Sequence, residues 1–366
     1  MRYLPLILPL AIVASAASAQ TPEAQAPQER LLAALQANRL PITMSEGRPS
    51  GSGWDLLVRE AKAARFTLIG EEHGVVETAQ LAAALFTAAH QAGYNKFAIE
   101  LSPIIAQDVE AAGRRNGVAG IRAFLTAPDV FSFANLREET QFIADVIAAT
   151  PGNQHVLAGF DREVFNEKYL KSRLQGRVTP RERALITRTI DASRAINSAP
   201  SSYAYTQLRT DWNRENMAAL LQEEQARKTP SKIMMKFGYN HMIRGANYVN
   251  AFDLGAMADE VAALTRDHAF HIIVLPGPGS MQAVLGAKGF EPASTGEFDE
   301  FKAGDQRLTK VLSNANATGH EVIDLRPLRQ FVMRGLDAWN PDLVKTINGY
   351  DVAVIWKGAH ASTPLK

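Results

Sequence analysis

The sequence predicts an α/β fold: a mostly parallel β-sheet with helices on both faces and a helical insert. Three observations lead there. Seven short runs are apolar nearly throughout, as expected of strands covered on both faces. Amphipathic stretches of helical length separate them, and strand–helix alternation builds parallel sheets. One connection, from about 163 to 230, is longer than the others and holds two or three helical segments of its own.

Taken in order, the chain opens with Arg2, an apolar run from Leu4 to Val13, and the small residues Ala17-Ser18-Ala19 before Gln20. That layout predicts a secretory signal peptide over 1–19. The run is too short to span a bilayer, and Pro5 and Pro9 disfavour a membrane helix. No Cys follows that could carry a lipid anchor. The expectation is an exported mature chain, periplasmic or secreted, with no integral membrane segment. Residues 20–50, rich at first in Gln, Pro, Glu and Ala, read as a flexible lead-in to a domain over 51–366.

Within that domain the predicted strands are Phe66–Ile69, Lys96–Leu101, His155–Ala158, Ile233–Phe237, His271–Leu275, Glu321–Leu325 and Asp351–Trp356. Helices are predicted over Glu77–Gln91, Leu136–Ala149 and Leu254–Leu264, with Arg181–Ile196 and Tyr203–Arg227 in the insert. Of the 366 residues, 46% are hydrophobic and 21% charged, an ordinary globular balance with ample core. A net charge of +1 without like-charge blocks gives no nucleic-acid surface. With no Cys, disulfides, thiolate catalysis and Cys-based zinc sites are excluded. The expected partner is a small-molecule substrate.

Ligands of open parallel sheets bind outside the carboxyl ends of the strands, and the polar residues of this chain gather there. The first strand ends in Gly70-Glu71-Glu72-His73-Gly74, with Glu77 four residues on. The second carries Glu100, whose carboxylate would be costly to bury without a partner. The third ends in Gly159-Phe160-Asp161-Arg162, and the fourth in Gly238-Tyr239-Asn240-His241, with Arg244 behind. Four strands delivering acids, imidazoles and an arginine to one edge point to a site. Other chemistries lack their signatures: there is no G-x-S-x-G elbow, no H-E-x-x-H, no P-loop and no G-x-G-x-x-G after a strand.

The ordered set resembles the erythromycin esterase-like family and its relatives, the ChaN/TIKI-type proteins. The matching stretches are Gly70–Gly74 with Glu77, Ile99-Glu100, His155–Asp161, Arg214-Glu215-Asn216-Met217, Tyr239-Asn240-His241 and Tyr350–Ile355 with Pro364-Leu365. They span about residues 60 to 365. Only Glu72 separates Glu71 from His73, a spacing nearer the ChaN-type pattern; Ala82 stands where an arginine is expected, and His241 where two histidines are. The resemblance implies a hydrolase acting on a cyclic or linear ester that enters beneath the helical insert.

On this reading His73 is a general base toward water, since imidazole titrates near neutral pH. Glu71 and Glu100 orient it, and His241 and Arg244 donate to the developing oxyanion. Glu72, Glu77, Asp161, Arg214, Asn240 and Arg244 are candidates for substrate binding. No cofactor is expected. Two alternatives stand beside it: a divalent metal held by His73, Glu77, Glu100 and His241, or a ChaN-like protein binding haem or iron without catalysis, in which Tyr239 and Met242 flank His241.

Overall fold

A computed structural model of the chain describes residues 27–152, 155–277, 279–286, 289–294, 319–333 and 341–365. The predicted signal peptide lies outside them. The expected flexible lead-in over 20–50 does not hold where the structure describes it. Residues Pro27–Ala37 form a helix (α1), Arg39–Ser45 a strand (β1) and Arg48–Ser50 a second (β2). Two leucines decide the matter for the helix: Leu31 and Leu35, one turn apart, are buried in the core.

The other strands are Phe66–Glu71 (β3), Tyr94–Ile99 (β4), Leu157–Gly159 (β5), Lys232–Gly238 (β6), Ala269–Pro276 (β7), Met281–Gly286 (β8), Gly289–Ser294 (β9), His320–Asp324 (β10) and Val352–Trp356 (β11). Nine of the eleven strands among the described residues make one sheet in the order β2-β1-β10-β11-β7-β3-β6-β4-β5, and β8 and β9 pair separately. From β5 to β11 every neighbouring pair is parallel, so those six strands end on the same edge. The flank β10, β1, β2 is antiparallel. All seven predicted strands are present, and β7 and β11 are buried along their whole length, which explains their unbroken apolar sequence.

Both faces are covered. One core packs the helices Ser52–Ala63 (α2), Val76–Ala89 (α3), Pro103–Leu125 (α4) and Arg137–Ala149 (α5) on the sheet through Leu57, Phe86, Val109 and Ile143. The other packs α1 through Leu31 and Leu35. Three helices fill the connection between β5 and β6: Glu167–Gln175 (α6), Pro180–Asn197 (α7) and Ser202–Gln225 (α8). The last lays Met217, Leu220 and Leu221 on the second core. Thr179 caps α7 in a reciprocal box with Glu182, which fixes where that helix begins. Among the described residues no helix is long and apolar enough to cross a membrane.

Candidate active site

The parallel register brings the acidic and basic residues together. Glu71 ends β3 opposite Gly238 of β6, and Ile69 lies opposite Lys236. Glu100 follows the last residue of β4, and Asp161 follows β5 by two. Their shared edge opens on a cleft of about 390 Å³ whose walls include Glu71, Glu72, His73, Glu100, Arg209 and His241.

His73 is the centre of this arrangement. Its Nδ1 lies 3.0 Å from Glu71 Oε1, and its Nε2 lies 3.5 Å from Glu100 Oε2. Phe133 stacks on the ring at 5.4 Å. The close approach depends on Gly238, because a Cβ there would stand 3.2 Å from His73 Nε2 and 3.5 Å from Glu100 Oε2. Glu100 Oε2 also accepts from the Gly238 N–H at 2.7 Å, and Glu100 Oε1 from Arg209 at 2.7 Å. The same guanidinium forks onto Asp161 at 2.9 and 2.7 Å, a bidentate geometry that fixes its plane. On the far side His241 Nε2 is 3.7 Å from Glu100 Oε1, while its Nδ1 is 2.7 Å from Asp253 Oδ2.

Beneath His73 a buried lysine sets the charge of the acids. Lys236 Nζ donates to Glu71 at 2.6 Å and to both oxygens of Glu139 at 2.9 and 3.0 Å. Burial pushes Glu71 up, but the Lys236 and His73 charges outweigh it and hold the group anionic. Glu139 moves the other way: burial dominates, and Glu71 repels its charge while one ammonium is shared between the two carboxyls. For His73, burial works against the imidazolium, yet the Glu100 charge and the Glu71 hydrogen bond raise it to about 9. Asp253 raises His241 in the same way against burial. Glu100 is held anionic, despite burial, by His73, His241, Arg209 and the Gly238 N–H. At neutral pH His73 is therefore a cation between carboxylates and becomes a free base only in alkaline solution, while Asp253 biases His241 toward its protonated form.

The structure brings together Glu71, Glu72, His73, Glu100, Asn240 and His241, with Asp161 just behind them through Arg209. Three expected members are elsewhere. Glu77 turns away to His360, accepting from its backbone at 3.1 Å and pairing with its Nδ1 at 2.6 Å. Arg214 donates to the Phe252 carbonyl at 2.8 Å and faces Glu260 on the outer side of α8. Arg244 braces Asp259 at 2.9 Å and Asp351 at 3.1 Å, near the first residues of β7 and β11, the opposite edge of the sheet. The metal set His73, Glu77, Glu100 and His241 is thus not assembled, and among the described residues no group of three or more His, Asp or Glu is disposed to hold an ion. Met242, set beside His241 as a haem-ligand candidate, is fully buried in the core.

Sequence reasoning missed Arg209, Lys236, Glu139 and Asp253. Lys236 carried a usable signal, since a lone cation inside the apolar run 233–237 needs a buried partner as much as Glu100 does. It also missed the β8–β9 hairpin, whose Gln282, Ala283, Val284, Leu285 and Phe290 form one wall of the cleft. The hairpin is anchored on the loop that carries His73: the Ala283 N–H donates to the Gly74 carbonyl at 2.9 Å. Gly74 has φ +77°, and a Cβ there would stand 2.1 Å from the Ala283 oxygen. Only glycine fits.

No protein-family model and no curated protein sequence matches the chain. Solved structures do. A succinoglycan biosynthesis protein superposes with a TM-score of 0.63 at 12% identity, covering 93% of this chain and 99% of that one. A protein from Bacillus cereus gives 0.56 at 14% identity, over 92% and 99%. An erythromycin esterase, EreC in its open conformation, gives 0.51 at 12% identity, over 85% and 94%. The chain has the erythromycin esterase-like fold that its sequence motifs resemble.

Proposed function

We propose that this chain is a hydrolase that activates water at His73 and acts on an ester or lactone. The observation that carries the reading is the clamping of His73: Glu71 holds Nδ1, which leaves Nε2 as the nitrogen that meets the cleft, 3.5 Å from the Glu100 carboxylate. The free imidazole takes a proton at Nε2 as the water oxygen attacks the carbonyl carbon. His241, whose protonated form Asp253 favours, and Arg209 lie across Glu100 and face the developing oxyanion. Arg209 takes the part that the sequence suggested for Arg244. The carbon–oxygen bond to the alcohol then breaks, and the proton on His73 passes to the departing oxygen. Water is consumed; an acid and an alcohol leave. Glu72 and Asn240, on the cleft wall, contact the substrate.

We infer likewise that the enzyme works outside the cytoplasm, in the periplasm or secreted, on the strength of the leader-like residues 1–19.

The test is ester hydrolysis followed against pH. Activity is expected to rise from mildly acidic to alkaline pH as His73 loses its proton near 9, and His73→Gln should lower it about 10²–10⁴-fold with the fold retained. Full activity in His73→Ala overturns the reading. Survival of activity in a chelator supports a metal-free water mechanism. Loss of activity on chelation with recovery in Mn or Zn overturns the metal-free mechanism.

A further inference from the structure

The cleft has two unlike sides. One carries the charged groups; the other is built from phenylalanines brought in by three separate segments. Phe133, stacked on His73, and Phe290 of β9 both line the cleft. Phe131 stacks on Phe290 at 5.9 Å with the rings 22° apart, and Phe165, which follows β5, meets Phe131 edge-on at 5.0 Å. Phe131, Phe133 and Phe290 are only half-buried, and Phe165 is 45% exposed. Phe133 and Phe290 on the cleft wall, with Phe131 and Phe165 packed next to Phe290 in turn, are all left partly open to water and form an apolar surface that a ligand can cover.

The charged side restricts what that ligand is. Every cation lining the cleft already faces a carboxylate: His73 faces Glu71 and Glu100, Arg209 faces Asp161 and Glu100, and His241 faces Asp253. Glu72 adds a further acid to the wall. The two cations that answer the developing oxyanion are already shared with Glu100, so a permanent substrate carboxylate or phosphate would find no further cation, and anionic esters are disfavoured.

Resting on the hydrolase reading above, we propose that the substrate is an uncharged ester with an aromatic group, its ring stacked among Phe133, Phe290 and Phe131 while the carbonyl lies against His73. Offset stacking contributes about 0.5–1.5 kcal/mol beyond the area buried. That corresponds to an affinity about threefold to tenfold above a saturated ester of similar size.

Three probes separate the possibilities: methyl cinnamate, methyl octanoate and monomethyl succinate, which are aromatic, aliphatic and anionic. Binding is measured by ligand-observed NMR on the His73→Gln protein, and turnover by acid release from the unaltered chain. Methyl cinnamate should bind about threefold to tenfold tighter than methyl octanoate, and monomethyl succinate weakest. Phe290→Leu, which keeps apolar bulk but removes the ring, should narrow the cinnamate advantage to within about twofold. Equal binding of the two uncharged esters, tighter binding of the anion, or an advantage indifferent to Phe290→Leu overturns the proposal, whatever the turnover. Tight, Phe290-dependent binding of methyl cinnamate with no hydrolysis of any probe leaves the aromatic site standing and removes the hydrolase reading.

Discussion

On the proposed mechanism, the His73 imidazole ties activity to stability. His73 in the folded chain holds its proton up to about 9, against about 6.5 for an unfolded histidine. A raised folded value means that its stabilisation is complete below about pH 6.5 and fades as pH climbs through 9. Thermal melting should show the His73→Gln variant losing less stability over that interval than the parent, while hydrolysis by the parent increases across it. Glu100 tests the electrostatics from the other side. Glu100→Gln keeps an acceptor for the Gly238 N–H but removes the anion that favours the imidazolium, so the pH–activity curve should move to lower pH. Arg209 retains Asp161, and unfolding in urea should register a loss of only about 1–3 kcal/mol. A loss of about 3–5 kcal/mol with an unmoved curve would make Glu100 half of a structural ion pair.

Among elements, the strand ends were legible and the roof was not. Glu71, His73, Glu100 and His241 could be read as one site because each follows an apolar run, and parallel strands deliver such residues to a common edge. Arg209 gave no such sign, since α8 is a polar helix with two arginines, Arg209 and Arg214, and only the fold shows which one turns inward. Arg244 misled because its short distance in sequence from His241 says nothing about direction; the chain turns after Met242 and carries it to the far edge. The hairpin was hidden by Pro292 within β9, which argues against a strand in sequence. Its docking makes a specific forecast. Gly74→Ala should cost about 1–3 kcal/mol from the positive φ and the displaced Ala283 contact, and hydrolysis should weaken more than melting suggests because the cleft wall moves with it.

At the scale of the whole molecule, the N-terminal region was the largest misreading. Residues 27–50 look like a linker by composition, with Pro41 and Pro49 in the strands they form, yet they add α1 to one core and β1 and β2 to the sheet. Their worth is measurable: a chain truncated to begin at Ser52 should melt well below the parent, since β10 then becomes an exposed edge and Leu31 and Leu35 no longer cover the second core. Processing at the predicted site should spare all of this, and mass spectrometry of exported protein is expected to find an N-terminus near Gln20. An intact Met1–Ala19 segment on a soluble cytoplasmic product would contradict that expectation.

The pairing of β1 with β10, Arg39 opposite Ile323, also orders events in time. The first strand to leave the ribosome completes its ladder only when one of the last has been made. Until then α1 and β1 have no permanent place, and the central parallel strands must assemble around a gap at their flank. Such long-range closure is slow, and a chain that waits for its final strands stays open through most of its synthesis. If the chain is exported as proposed, that delay is an advantage, because a chain threaded across a membrane must not fold first.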